Sequence, residues 1–334
     1  MVTESRDFVQ RQAVAWLEQM NLAWELLRNN DSISREEFWS ERNPYFGKLA
    51  KLYEDDFVTA KLNDESDLIL HAEGPGTAGQ APRLNVVNWL STRMERKLRT
   101  LVQAVLPMAT DDAHAAAKEL DLRFTGVAPG SLFMGFAVAS NEPSLPGMEE
   151  GDAAALAVVR KAMQSLPMVS QFVTSTEVSQ GILEALPDPA LRDAAIVAAF
   201  EMSPTGRNGI DSLEISAPRS GVVASSLTQR DRVVLRNTAV QKPLMGQRRH
   251  GVFVGDLRAL DLDLRRATLR NLGQGLSSLR CVLDVPLEMA RGLLGTSVRV
   301  RGEYESTPEG RPRLMNVTSL EPHERQGKLD DTSR

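Results

Sequence analysis

A chain of 334 residues, 42% apolar and 25% charged, is long for a single hydrophobic core and has an ordinary globular balance; this excludes a wholly disordered chain and predicts at least two domains. Its longest apolar runs, at 131–139 and 153–159, fall short of the roughly 20 residues of a membrane-spanning helix, and its single cysteine, Cys281, excludes an intrachain disulfide. The net charge of −5 hides a split: residues 218–320 carry +8, with sixteen arginines among seventeen basic side chains, and the remainder carries −13.

The start of the chain is acidic, then amphipathic, without the basic and apolar pattern of a secretory signal; with the lone cysteine this sets the expectation of a cytoplasmic protein. Residues 1–60 read as a helical N-terminal region. Apolar positions from Phe8 to Leu27 recur at three- and four-residue spacing, Ser34 and Glu37 stand in capping-box register, and Pro44 opens a further helix.

Residues 61–240 read as an α+β body. A strand is expected at 67–72, followed by a mobile loop at 74–80 with little that packs, then a long helix over 85–105 ended by Pro107. Residues 120–140 read strand, turn, strand about Ala128-Pro129-Gly130. Helices are expected at 152–164, 175–186 and 189–200, a strand at 212–216 and a helix at 228–239. Without strict βαβ alternation, the class is α+β.

From Gly251 the period changes to two, and residues 241–322 read as a five-stranded barrel with one helix at 287–293; residues 323–334 read as a disordered tail. Strands are expected from 252, through the alternating 260–264, and at 267–270, 279–285, 298–304 and 314–320.

The run Leu294-Gly295-Thr296-Ser297-Val298-Arg299-Val300-Arg301-Gly302, with its hairpin into Arg313-Leu314-Met315-Asn316-Val317, resembles the closing hairpin of an OB-fold or a similar small barrel, over roughly the last 90 residues. The helix before the fourth strand fits that arrangement. The resemblance implies a small closed barrel of a kind that binds oligonucleotides, although the Leu-Asp alternation at 260–264 departs from the aromatic and basic face such binders use.

Candidate anion-binding residues follow from the basic end. Arg299 and Arg301 share one strand face, and the hairpin is expected to bring Arg311 and Arg313 beside them; a guanidinium cluster grips phosphate or carboxylate through paired hydrogen bonds. Arg248, Arg249, Arg265 and Arg266 add charge, and Tyr304 with Phe253 supplies thin aromatic support. The plainer alternative is cross-strand pairing of Arg299, Arg301, Arg311 and Arg313 with Glu303, Glu305 and Asp263 on a solvated face.

Other chemistry is weakly signalled. The four histidines are scattered, so no metal is expected, and no phosphate loop or dinucleotide fingerprint predicts a cofactor. Ser131 lacks the flanking glycines of a nucleophile elbow, and Cys281, on an alternating strand, reads as a small core residue. The leading expectation is a non-enzymatic binding or adaptor protein whose barrel contacts nucleic acid or an acidic protein partner. The alternatives are an interaction or sensor subunit of a multi-protein phage-defence or stress system, as homo-oligomer or hetero-complex, and an enzyme on an unrecognised fold.

Overall fold

The computed structural model of the chain describes residues 2–28, 34–40, 43–53, 57–77, 81–105, 121–128, 131–139, 149–220, 222–273 and 276–323. It is α+β, with an N-terminal helical region, a mixed body and a C-terminal barrel.

The chain opens with helix α1 (Val2–Leu27), the short α2 (Arg35–Phe38) and α3 (Pro44–Lys51). The serine half of the expected capping box at Ser34 forms: its Oγ accepts a hydrogen bond from the Glu37 amide at 3.1 Å. Aromatic contacts hold these pieces together, Trp24 tilted against Phe38 at 5.2 Å and Trp39 edge-on to Phe46 at 6.3 Å, with the Lys48 ammonium over the Trp16 ring at 4.1 Å.

The body is an antiparallel sheet in the order β2-β3-β1-β4-β5, formed by β1 (Leu68–Glu73), β2 (Asp121–Ala128), β3 (Leu132–Ala139), β4 (Ser212–Ala217) and β5 (Val222–Thr228). One face carries Leu68, Leu70 and Ala72 with Met134, Leu213 and Ile215 into the main core. Against it pack α5 (Leu84–Val105), α6 (Glu149–Gln171) and, behind them, α8 (Pro189–Met202), with α9 (Gln229–Val240) alongside; the short α7 (Ile182–Ala185) precedes α8. The opposite face is covered in part by α4 (Val58–Glu65), whose Leu62 meets Ile69 and Ala128. The strand period of two thus splits β1 between two surfaces.

Helix α8 is buried almost all round, which is why its sequence is apolar on every side instead of in one stripe. Asp188 caps it, accepting from the amides of Ala190 and Leu191, and Pro189 occupies the first turn where its missing N–H costs nothing.

The barrel consists of β6 (Arg249–Asp261), β7 (Arg266–Arg270), β8 (Ser278–Leu283), α10 (Leu287–Gly292), β9 (Ser297–Ser306) and β10 (Pro312–Pro322). It closes in the order β10-β8-β7-β6-β9, with β9 returning to β10 and a single parallel pair, β8 with β10. This order, with a helix before the fourth strand, is the OB-like arrangement the sequence suggested. Its interior is filled by residues such as Leu257, Leu269, Cys281, Val300 and Met315.

Several local expectations are corrected. Residues 175–186 hold one helical turn only, because the Thr174 hydroxyl bonds the backbone of Glu177 and a Val173–Val178 bridge closes the segment as a turn. Strand β5 was not foreseen. The 74–80 stretch is packed where described: Gly76 and Thr77 are buried and Gly76 bonds the Gly209 carbonyl, an approach that any side chain at Gly76 would block; residues 78–80 lie outside the described residues. The alternating 260–264 segment leaves the sheet after Asp261, whose carboxylate accepts from the Leu264 amide and bends the chain into a turn.

Candidate anion-binding surface and a buried charge cluster

The outer face of β7, β8 and β10, with the Glu305 end of β9, rests on the body, and the contact is built from charges carried by α8. Arg192, 1% exposed, donates to Glu305 of β9 at 2.5 Å, to the Leu186 carbonyl at 2.9 Å and to the Leu244 carbonyl at 3.0 Å. Beside it Asp193 accepts two hydrogen bonds from Arg266 of β7, at 2.6 and 3.1 Å, and one from Arg280 of β8 at 2.5 Å. Arg266 also donates to the carbonyls of Ala239 and Leu264, and Arg313 of β10 to that of Ala104, with Asp188 3.5 Å away.

Arg192, Asp193, Arg266 and Glu305 are out of water, so each requires its partners. Burial alone would push the Asp193 carboxyl up; the guanidiniums of Arg266 and Arg280 outweigh it and hold the group well below the usual carboxylate range. Burial likewise works against the charge of Arg192, which Glu305 supports. Apolar patches flank the cluster, Val197, Ala239 and Leu264 on one side and Met245, Val282 and Leu314 on another.

The nine residues expected to bind an anion therefore divide. Arg266 and Arg313 face the body. Arg265 bonds the Leu283 and Val285 carbonyls at 2.8 and 2.9 Å. Tyr304 packs edge-on against Phe253 at 5.2 Å over the barrel core, in space left by the missing side chain of Gly251. Arg248 lies 3.8 Å from Glu303, and Arg249, Arg299, Arg301 and Arg311 are exposed.

The hairpin does not set the two arginine pairs side by side. In the β9–β10 register Arg301 faces Ser319 and Arg299 faces Glu321, whereas Leu314 already faces Glu305, so Arg313 lies four or more residues further along, roughly 13 Å at about 3.3 Å per residue. On their other side Arg299 and Arg301 stand opposite Val254 and Val252, the latter 50% exposed, and neither has an ion-pair partner among the described residues. Two of the three expected acids are engaged elsewhere: Glu305 with Arg192, Glu303 with Arg248 and His250. What remains is a solvent-facing strip on β6 and β9 whose two guanidiniums make no ion pair among the described residues, Glu321 being the acid that stands opposite Arg299.

Arg192, Asp193 and Arg280 escaped the reading of the sequence. The signal was a basic and an acidic residue side by side within the apolar run Pro189–Met202, where charge survives only with buried partners.

A second constellation lies on the sheet face away from the main core. His71 Nε2 is 2.7 Å from the Ser131 hydroxyl, and its ring stacks on Phe133 at 3.9 Å and 5°. Glu73 is 3.5 Å from Nε2, and Glu214 is 3.9 Å from Nδ1, beyond hydrogen-bond reach. Cross-strand register creates the group, since His71 faces Phe133 on β3 and Glu214 on β4. Among the described residues no cluster of three or more His, Cys, Asp or Glu side chains is arranged to hold a metal ion, and no helix is long and apolar enough to cross a membrane.

Comparison of the chain with protein-family models, curated proteins and solved structures found no match.

Proposed function

We propose that this is a non-enzymatic binding protein whose barrel grips the phosphate backbone of a nucleic acid on the outer face of β6 and β9. The reading rests on the division of the barrel's arginines. Arg266, Arg280 and Arg313 are engaged by the body, while Arg299 and Arg301 are exposed and make no ion pair among the described residues. Exposed arginines hold phosphates through charge-assisted, two-pronged hydrogen bonds. With Tyr304 turned onto the barrel core, little aromatic surface accompanies them, so the contact is to the backbone and carries little sequence preference.

Binding of the full chain to labelled single- and double-stranded DNA and RNA over a salt series tests this, with Arg299→Ala/Arg301→Ala beside it. Affinity that falls steeply with salt and drops in the variant supports the reading. Binding only to acidic polypeptides would transfer the strip to a protein partner.

A second reading has its own observation, the hydrogen bond between Ser131 and His71. A serine bonded to an imidazole is the start of a base-activated nucleophile, and Glu214 needs to close by about 1 Å to orient the ring as a third member. Labelling of Ser131 by a fluorophosphonate, lost in His71→Ala, would establish it. An unlabelled protein leaves His71 as a strut that holds Ser131 against β1.

A further inference from the structure

Two helices of the body are basic. Helix α5 carries Arg93, Arg96, Lys97 and Arg99 against Glu95 alone, although it belongs to the part of the chain that is −13 overall, and α9 carries Arg230, Arg232 and Arg236 against Asp231 alone. Both helices pack on α8, and their arginines meet at its carboxyl end. Arg93 donates Nη1 to the Glu201 carbonyl at 2.7 Å, and Arg232 donates Nη1 to the Phe200 and Ser203 carbonyls at 2.5 and 3.1 Å. Each guanidinium also lies over an aromatic ring, that of Arg93 over Trp89 at 5.1 Å and that of Arg232 over Phe200 at 4.3 Å. Both are part-exposed, and among the described residues Nε and Nη2 of each make no hydrogen bond.

The acids of these elements are taken. Glu201 pairs with Lys97, Glu95 with Arg99, and Asp231 accepts from the amide and hydroxyl of Thr228 at the start of α9. Arg96 and Arg236 are exposed and make no ion pair among the described residues. Burial and then Arg96 work against the charge of Arg93; burial, Arg93 and Arg236 work against that of Arg232. Capping the last carbonyls of α8 accounts for Arg93 and Arg232 but not for Arg96 and Arg236 beside them. Like charges gathered in this way repel one another until an anion enters.

We propose that Arg93, Arg96, Arg232 and Arg236, at the carboxyl end of α8, form a second contact for the phosphate backbone of a nucleic acid. The proposal rests on the reading of the chain as a nucleic-acid binder and uses no residue of the β6–β9 strip. Guanidiniums fixed by backbone carbonyls present their remaining N–H groups for the paired hydrogen bonds that phosphate oxygens accept. Cations spread over two helices suit a repeating polyanion better than a single phosphate ion.

Binding to a labelled oligonucleotide of about 30 nucleotides, longer than one OB-type barrel covers, is measured over a salt series on the full chain, on Arg96→Gln/Arg236→Gln and on Arg299→Ala/Arg301→Ala. Arg96→Gln/Arg236→Gln alters exposed side chains and keeps the parent's unfolding midpoint. It lowers affinity at least about fivefold at about 0.1 M salt and makes the slope of log affinity against log salt shallower by about 1.4 to 1.8. Its loss adds to that of Arg299→Ala/Arg301→Ala when the four changes are combined. Parental affinity and slope in Arg96→Gln/Arg236→Gln, with weaker binding by Arg299→Ala/Arg301→Ala, overturn the proposal and leave the strip in place. The reverse pattern overturns the strip and keeps the contact at α8. Binding of polyglutamate that is lost in Arg96→Gln/Arg236→Gln, with the oligonucleotide unaffected, assigns the surface to an acidic protein and overturns the proposal.

Discussion

Asp193 on α8 accepts both prongs of the Arg266 guanidinium on β7, at 2.6 and 3.1 Å, in a place where both side chains are buried. The pair joins two parts of the chain whose charges are opposite in sign overall, and Arg280 completes it from the neighbouring strand. Removing one partner of such a pair strands the other charge out of water. Asp193→Ala should lower the unfolding free energy by about 3–5 kcal/mol in chemical denaturation, more than an alanine at any exposed acid of the chain.

Acid should act through the same carboxylate. Its pKa is held down in the folded state, so it contributes stability above its unfolded value near 4 and loses that contribution as pH falls through the lower folded value. Unfolding free energy measured from about pH 5 downward should therefore decline most steeply below about pH 4. In Asp193→Asn the decline over that window should be shallower.

Cys281 reports on the barrel interior. It is buried beneath Leu279 and Leu283, and burial pushes its thiol up to about 12, against a smaller opposing effect of Arg280. At pH about 8 the group is neutral and out of reach. Ellman's reagent should leave it unmodified in the native protein and react fully on denaturation, so its labelling rate measures opening of the barrel separately from the body.

Glycine at 302 is a packing requirement. A Cβ there would stand 1.9 Å from the carbonyl oxygen of Asn316, where β9 crosses the irregularity of β10 between Val317 and Ser319. Gly302→Ala should cost about 3 kcal/mol or more and accelerate Cys281 labelling. Gly292→Ala, with open space around the added carbon, should stay within about 0.5 kcal/mol in the same denaturation experiment.

The barrel was legible because its strands alternate in the simplest way: Val298 and Val300 point in while Arg299 and Arg301 point out, and a period of two needs no partner to be seen. The body was legible through its long helices and the 131–139 hairpin strand, but β5 was not, since Ser225 and Ser226 carry no apolar alternation and its place in the sheet comes from pairing with β4. The candidate site was legible in composition and hidden in register. Which arginines face solvent depends on where β9 shifts against β10 and on which strands lie against α8, and both are tertiary facts. The pairing of His71 with Ser131, 60 residues away in sequence, is of the same kind.

The most direct test of the functional account is the slope of log affinity against log salt for nucleic acid, measured on the full chain and on Arg299→Ala/Arg301→Ala. If these two arginines contact phosphates, the variant should bind more weakly on every sequence, with a slope shallower by about 1.4 to 1.8, and unfold at the same denaturant concentration as the parent. Equal slopes for the two proteins, or no salt-dependent binding by the parent, would contradict it.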